Sequence, residues 1–368
     1  MKRNTVARIG LAVALGILLP IGTLVDSAAA QPRPPTLSDS QEPGSVIVFP
    51  KFIRGVVTPT GLGTTAKTEI AVSVVCPKGA VCPEGQKLKI RFHWVCGGDE
   101  DDFICQDTDF DVLTTINGTA IFSPERVGPA NVVVPVPPCK QGYLIGWAEN
   151  ASDQPIKFDG LIGNAVLRES ASAVSSYNAI PIQAAPAEME MGDEMSLDPV
   201  DNRLMFDGAP GHYQAVTGVI FASVAFDKPA PSYSYYTPNR AGSQSTLLTL
   251  LTLDTITNRP NYPTFVDLNF YNSQEVLTST STNFVCWESV KLSKIDGSLT
   301  QSLQGSRKGI LVSDAAEKRA FGGIDDTDGP VTLLGLVETL EGPSGVERSY
   351  SNEVWNDSVP VPTAFVPN

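Results

Sequence analysis

The sequence predicts an all-β protein: two tandem, internally duplicated antiparallel β-sandwich domains behind a cleavable leader. Three observations lead there. The composition is turn-rich, with 31 Gly and 29 Pro among 368 residues, 42% apolar residues and only 18% charged ones. Short runs of alternating apolar residues recur along the chain, each bounded by Gly, Pro, Asn or Asp. The runs of the first half also recur, in the same order, in the second.

The leader comes first in the chain. Lys2, Arg3 and Arg8 form a positive start, an apolar stretch follows from Ile9 to Val25, and Ala28-Ala29-Ala30 supplies a small-residue cleavage site. Gly10, Gly16, Pro20 and Gly22 interrupt that stretch, so a removed signal is favoured over a retained span. No cysteine follows Ala30 directly, so a lipid anchor is not expected. The protein is thus expected to be secreted or periplasmic, cleaved near Ala30, with no membrane span afterwards. Loss of residues 1–30 removes three cations and Asp26, leaving 23 basic against 39 acidic residues and moving the formal charge from −14 to −16. A chain so acidic is repelled by nucleic acid and by anionic lipid, which excludes both as partners.

An extended segment (31–44) leads into the first sandwich (45–182). Its strand-like runs begin at Ser45-Val-Ile-Val-Phe49, Thr68-Glu-Ile-Ala-Val-Ser-Val-Val75 and Leu88-Lys-Ile-Arg-Phe-His-Trp-Val-Cys96. Phe110 to Ser123 reads as a hairpin about Asn117-Gly118, a dipeptide suited to a type I′ turn. Gly142 to Trp147 and Phe158 to Gly163 complete the set. A linker rich in Ala, Met and acid (183–202) joins this half to the second (203–345), and a Pro-rich tail (346–368) ends the chain. In the second half Gly218–Phe226, Ser245–Asp254 and Phe265–Tyr271 answer the first three runs. Glu288 to Thr300 answers the hairpin about Asp296-Gly297, and Gly309–Val312 and Val331–Val337 answer the last two. About seven strands per half, spaced by turn residues, fit an Ig-like sandwich, and each half is long enough to bury its own core.

Six cysteines follow the leader: Cys76, Cys82, Cys96, Cys105, Cys139 and Cys286. An even number in an exported protein points to disulfides. Sequence proximity favours Cys76–Cys82 and Cys96–Cys105 as local clips, leaving Cys139 and Cys286 either to tie the halves together or to stay free. Zinc is disfavoured, because the close pairs are separated by five and eight residues and no histidine joins them in a ligand pattern.

Candidate chemistry is sparse. His93 is placed on the polar face of its strand with Lys87, Lys89 and Arg91, cations that lower its basicity, and reads as a surface residue. His212, in a turn-rich stretch, has no nucleophile motif beside it. Asp99, Asp101 and Asp102 between Cys96 and Cys105, and Asp325, Asp326 and Asp328 before Gly329, are candidate calcium ligands. The second group carries part of an acidic D-x-D-x-D-G pattern, and the plainer reading of both is a solvated loop. Met189, Met191 and Met195 read as linker packing rather than a copper site. Tyr233, Tyr235 and Tyr236 form an aromatic strip, a candidate contact for a sugar ring or a protein. Apart from calcium at the acidic loops, no cofactor is expected.

Gly44-Ser-Val-Ile-Val-Phe-Pro50, Asn283-Phe-Val-Cys-Trp287 and the run Gly329 to Glu338 together resemble a group of exported bacterial β-proteins with no assigned activity. The resemblance brings no catalytic residues with it. The functional expectation is therefore a non-enzymatic exported binding or structural protein whose partner is an unidentified protein or glycan. The alternative is a secreted carbohydrate-binding or carbohydrate-active protein using its clustered carboxylates or loop tyrosines.

Overall fold

The computed structural model describes residues 42–55, 67–97, 105–125, 133–168, 174–185, 189–199, 202–216, 220–228, 243–253, 256, 263–313, 317–318, 333–342 and 348–355. The first half supplies β1 (Val46–Ile53), β2 (Lys67–Val74), β3 (Lys87–Cys96), β4 (Asp107–Thr115), β5 (Thr119–Phe122), β6 (Gln141–Glu149), β7 (Leu161–Arg168), β8 (Val174–Asn178) and β9 (Ile180–Ile182). They form two antiparallel sheets of order β4-β3-β6-β1-β9 and β5-β2-β7-β8. The alternation along β3 does what its period implies: Leu88, Ile90, Phe92 and Trp94 are buried, while Lys89, Arg91 and His93 face out. These residues pack between the sheets with Ile70, Val72 and Val74 of β2. Phe92, Trp94, Phe110 and Phe122 meet there as stacked and edge-on rings.

The second half supplies β10 (Phe221–Ala225), β11 (Ser243–Thr252), β12 (Thr264–Asn272), β13 (Leu277–Phe284) and β14 (Trp287–Lys291). Two single helical turns follow, α1 (Leu292–Ile295) and α2 (Gln301–Gln304), then β15 (Lys308–Ser313), β16 (Glu317–Lys318), β17 (Leu333–Gly342) and β18 (Arg348–Trp355). The sheets are β10-β15-β12-β13, with β16 also on β12, and β14-β11-β17-β18. The first half's orders, β1-β6-β3-β4 and β5-β2-β7-β8, are the same when β10 to β15 are read for β1 to β6 and, with β16 left out, β17 and β18 for β7 and β8. All four sheets are antiparallel, and no described helix is long and apolar enough to cross a membrane.

Both expected hairpins are something else. Asn117 does take a positive φ of 63°, but β4 and β5 belong to different sheets, so its turn is a corner between them. The corner is held by β2: Asn117 N donates to Val74 O (2.7 Å) and Val74 N to Gly118 O (3.0 Å). Asp296-Gly297 lies between α1 and α2, because the run after Glu288 leaves its strand at Leu292 to make one helical turn. The true counterpart of the first corner is Val285-Cys286, between β13 and β14. There Cys286 has φ 60° and its carbonyl accepts from Thr252 N at 2.9 Å.

The described residues cluster as one compact unit. β1 and β6 are buried on both faces, since their second face meets the other half. Val46, Val48, Val95, Tyr143 and Ile145 pack with Leu251, Leu253, Trp287 and Leu334. Trp287 Nε1 donates to Pro50 O at 2.7 Å, and Trp287 lies so close to Gly97 that a Cβ there would meet it at 2.5 Å. Lys51 and Glu338, both buried, pair at 2.5 Å across the same seam. The segment between the halves joins it: Met195, Leu204, Tyr213 and Val216 are buried in this core.

All six cysteines are paired. Cys76–Cys82 is the expected clip, but Cys96 joins Cys139 and Cys105 joins Cys286. The expected Cys96–Cys105 link is wrong for a geometric reason. The two are backbone neighbours, Cys105 N donating to Cys96 O at 3.0 Å and Cys96 N to Gln106 O at 2.9 Å. Cys96 nevertheless points into the first core, whereas Cys105, at φ 62°, points to the other half.

A candidate binding cleft at Asp159

The candidate calcium ligands Asp99, Asp101, Asp102, Asp325, Asp326 and Asp328 and the tyrosines Tyr233, Tyr235 and Tyr236 lie outside the described residues. Among the described residues, no group of three or more His, Cys, Asp or Glu is arranged to hold a metal ion. The structure instead draws attention to a cleft of about 960 Å³ that no motif announces.

Its floor is built where three strands end. Gly160 N and Leu161 N both donate to Gly44 O, at 3.2 and 2.8 Å, which fixes the start of β7 against the entry to β1. Only glycine fits at 160, because a Cβ would sit 2.3 Å from Val75 O. Asp159 Oδ1 then accepts from Ser45 Oγ (2.7 Å) and from Ala184 N (2.9 Å), and Ser45 Oγ accepts from Phe158 N (2.8 Å). Burial pushes the Asp159 carboxyl above the usual carboxylate range; its hydrogen bonds and the charge of Lys157 oppose this without reversing it. Behind it Tyr213 is buried, its hydroxyl without a hydrogen-bond partner. Burial first, then the charges of Asp159 and Glu149, push the Tyr213 phenol up.

The walls are two short loops held in place. One is the Cys76–Cys82 clip, whose turn is closed by Ala80 N donating to Pro77 O at 3.0 Å, with Gly79 at φ 83°. It presents Val81, 87% exposed, at the rim. The other is Met189 to Asp193, latched to Lys157: Nζ donates to Met189 O (3.0 Å), and Gly192 N to Lys157 O (2.9 Å). Met189 and Met191 therefore line the cleft, while Met195 is in the seam. The amide oxygen of Gln214, also in the wall, is buried without a hydrogen-bond partner. The cleft thus offers thioether and proline surface, amides, two lysines and three carboxylates (Glu42, Asp159 and Glu190). That lining suits a peptide or a sugar better than a purely apolar ligand.

The histidines belong elsewhere. His93 is not governed by cations alone: its Nδ1 pairs with Asp107 Oδ2 at 2.8 Å, and its ring stacks on Trp147 with centroids 4.8 Å apart. The bond to His93 holds Asp107 below the usual carboxylate range. Along the same ladder Arg91 pairs with Asp109 and Asp111, and Lys89 with Asp111, Asp153 and Glu149. β4 places Asp107, Asp109 and Asp111 along the polar face of β3, acids that the pattern of β3 by itself does not reveal. His212 Nδ1 pairs with Asp207 Oδ1 at 2.7 Å, and among the described residues no serine hydroxyl bonds to either histidine.

No protein-family model and no curated protein matches the chain. Solved structures give distant likenesses. One is a chain in the structure of the infectious bursal disease virus Gx strain, at 10% identity and TM-score 0.13, covering 84% of this chain and 69% of that one. Another is R17, a viral chemokine-binding protein encoded by rodent gammaherpesvirus Peru, at 10% identity and TM-score 0.11, covering 87% of each chain. At such scores neither carries an argument about fold or function.

Proposed function

We propose that the chain is an exported, non-enzymatic binding protein: two copies of one Ig-like sandwich, fused into a single body, that take up a peptide or glycan in the Asp159 cleft. The observation that carries the binding role is the cleft itself, whose two walls are tied down by a disulfide and by Lys157. Walls fixed before binding cost little ordering when a partner arrives. The leader pattern and three disulfides support export. The matching strand orders support duplication. The pairings β2–β5 and β3–β6 are those of an immunoglobulin-type Greek key, although β1 and β7 take the edge positions that the last and first strands hold in that fold.

The test is a binding screen of the exported chain on glycan and extracellular-protein arrays, repeated with Val81→Asp and Lys157→Ala. Val81→Asp, at an exposed position, should cost a hit at least tenfold in affinity with thermal stability unchanged, and Lys157→Ala, which frees the Met189 wall, should cost as much affinity with a small loss of stability. A hit indifferent to both places the site elsewhere. A hydrolytic reading has one observation in its favour, the raised pKa of Asp159 in a cleft that Glu42 and Glu190 also line. Glycan cleavage abolished by Asp159→Asn would establish it in place of simple binding.

A further inference from the structure

We propose that β13 is an open sheet edge through which the chain pairs with a second copy of itself. β13 ends its sheet: its ladder with β12 runs unbroken from Thr264↔Phe284 to Tyr271↔Leu277, and no described strand pairs with its other side. Natural edges are blunted by charge, proline, a bulge or shortness. β13 has none of these. It is eight regular residues, Leu-Thr-Ser-Thr-Ser-Thr-Asn-Phe, with Leu277, Ser279, Ser281 and Asn283 exposed. Its inward threonines hold it straight, Thr278 bonding to Gln304 (3.0 Å) and Thr280 to Asp296. The strand is therefore set in shape before any partner arrives.

The occupant follows from charge and symmetry. In a two-fold antiparallel pair, residues opposite one another must share a face. Centring the pair on Thr280 puts Ser279 against Ser281 and Leu277 against Asn283, so no like charges meet and hydroxyls face hydroxyls. The edge in the same position of the first half is β4, which exposes Asp107, Asp109 and Asp111. The same operation there sets Asp109 against Asp109 and Asp107 against Asp111, which repels a second copy. A copy of β13 also brings a strand of equal length that is already ordered. Exposed Val276 and Leu277 lie at the start of the strand, and the partner's Asn283 end covers Leu277. One strand pair falls short of the roughly 1,200 Å² of a stable complex, so the dimer is weak and concentration-dependent.

Sedimentation of the full-length exported chain at concentrations up to about 1 mM tests this. The expected result is a mass rising from one chain to two, with the β13 amides gaining protection from hydrogen exchange as it rises. Ser281→Lys with Asn283→Lys, at exposed positions, should hold the chain single with an unchanged melting temperature, whereas Asp109→Ser on β4 should leave association as it was. A single chain at every concentration overturns the proposal, as does association that survives the two lysines. A chain that stays single yet takes up a synthetic strand of the β13 sequence assigns the edge to a foreign peptide, and self-pairing fails.

Discussion

The two halves share a strand order but not a chemistry. The first holds two disulfides of its own, a ladder of ion pairs on its outer face and the cleft; the second has neither an internal disulfide nor an ion-pair ladder among its described residues. At corresponding edges, β4 is lined with aspartates and β13 with serine and threonine. At corresponding corners, Asn117 is hydrogen-bonded to Val74 within its own half, whereas Cys286 is disulfide-bonded to Cys105 of the other half. One strand order thus tolerates different solutions at its edges and corners. What the halves share is the pairing order, and the features that distinguish them sit at its edges and corners.

The seam between the halves is where the comparison breaks most visibly. Cys105–Cys286 closes a separation of 181 residues, so its loss through Cys105→Ser with Cys286→Ser should cost on the order of 5 kcal/mol. Opening the Cys76–Cys82 clip, with a separation of 6, should cost roughly 2 kcal/mol by the same argument. Chemical denaturation of both variants gives the ratio directly. Next comes Lys51. Lys51→Ala removes the partner of buried Glu338, at a cost of about 3 kcal/mol, while Lys51→Met with Glu338→Leu should recover most of it. Smallest is the outer ladder: Arg91→Ala should move stability by less than about 1 kcal/mol, because its partners are half exposed and screened.

The pH dependence separates two carboxylates of the first half. Asp159 has a raised value in the folded protein, so the folded state holds its proton longer than the unfolded chain does. Its favourable contribution is complete below the ordinary carboxylate range and is lost as pH rises through the raised value. Asp107 is lowered, so its contribution is present above that range and is lost as pH falls through the lowered value. Asp159→Asn should therefore raise the melting temperature at neutral pH and not at acid pH. Asp107→Asn should lower it at neutral pH and do little at acid pH.

Much of the sheet framework was legible in the sequence, and the reasons are local. β3 and β12 alternate strongly and were placed against each other by pattern alone; β1 with β10, β2 with β11, β6 with β15 and β7 with β17 followed. β13 escaped because serine and threonine give no apolar period. The Asn117-Gly118 turn was visible, but a turn dipeptide does not say whether the next strand stays in its sheet. Sequence proximity found Cys76–Cys82, where a tight turn brings the side chains together. It failed at Cys96 and Cys105, where the backbone pairs while the side chains diverge. The cleft had no sequence signal, since Ser45, Asp159, Ala184 and Gln214 meet only when three strand ends converge.

The buried seam of Trp287, Lys51–Glu338 and Cys105–Cys286 makes the two halves unfold as one body. Calorimetric unfolding of the disulfide-bonded chain decides whether they do. A single transition with equal calorimetric and van't Hoff enthalpies is the predicted result. Two separable transitions, each with the enthalpy of one half, would contradict it.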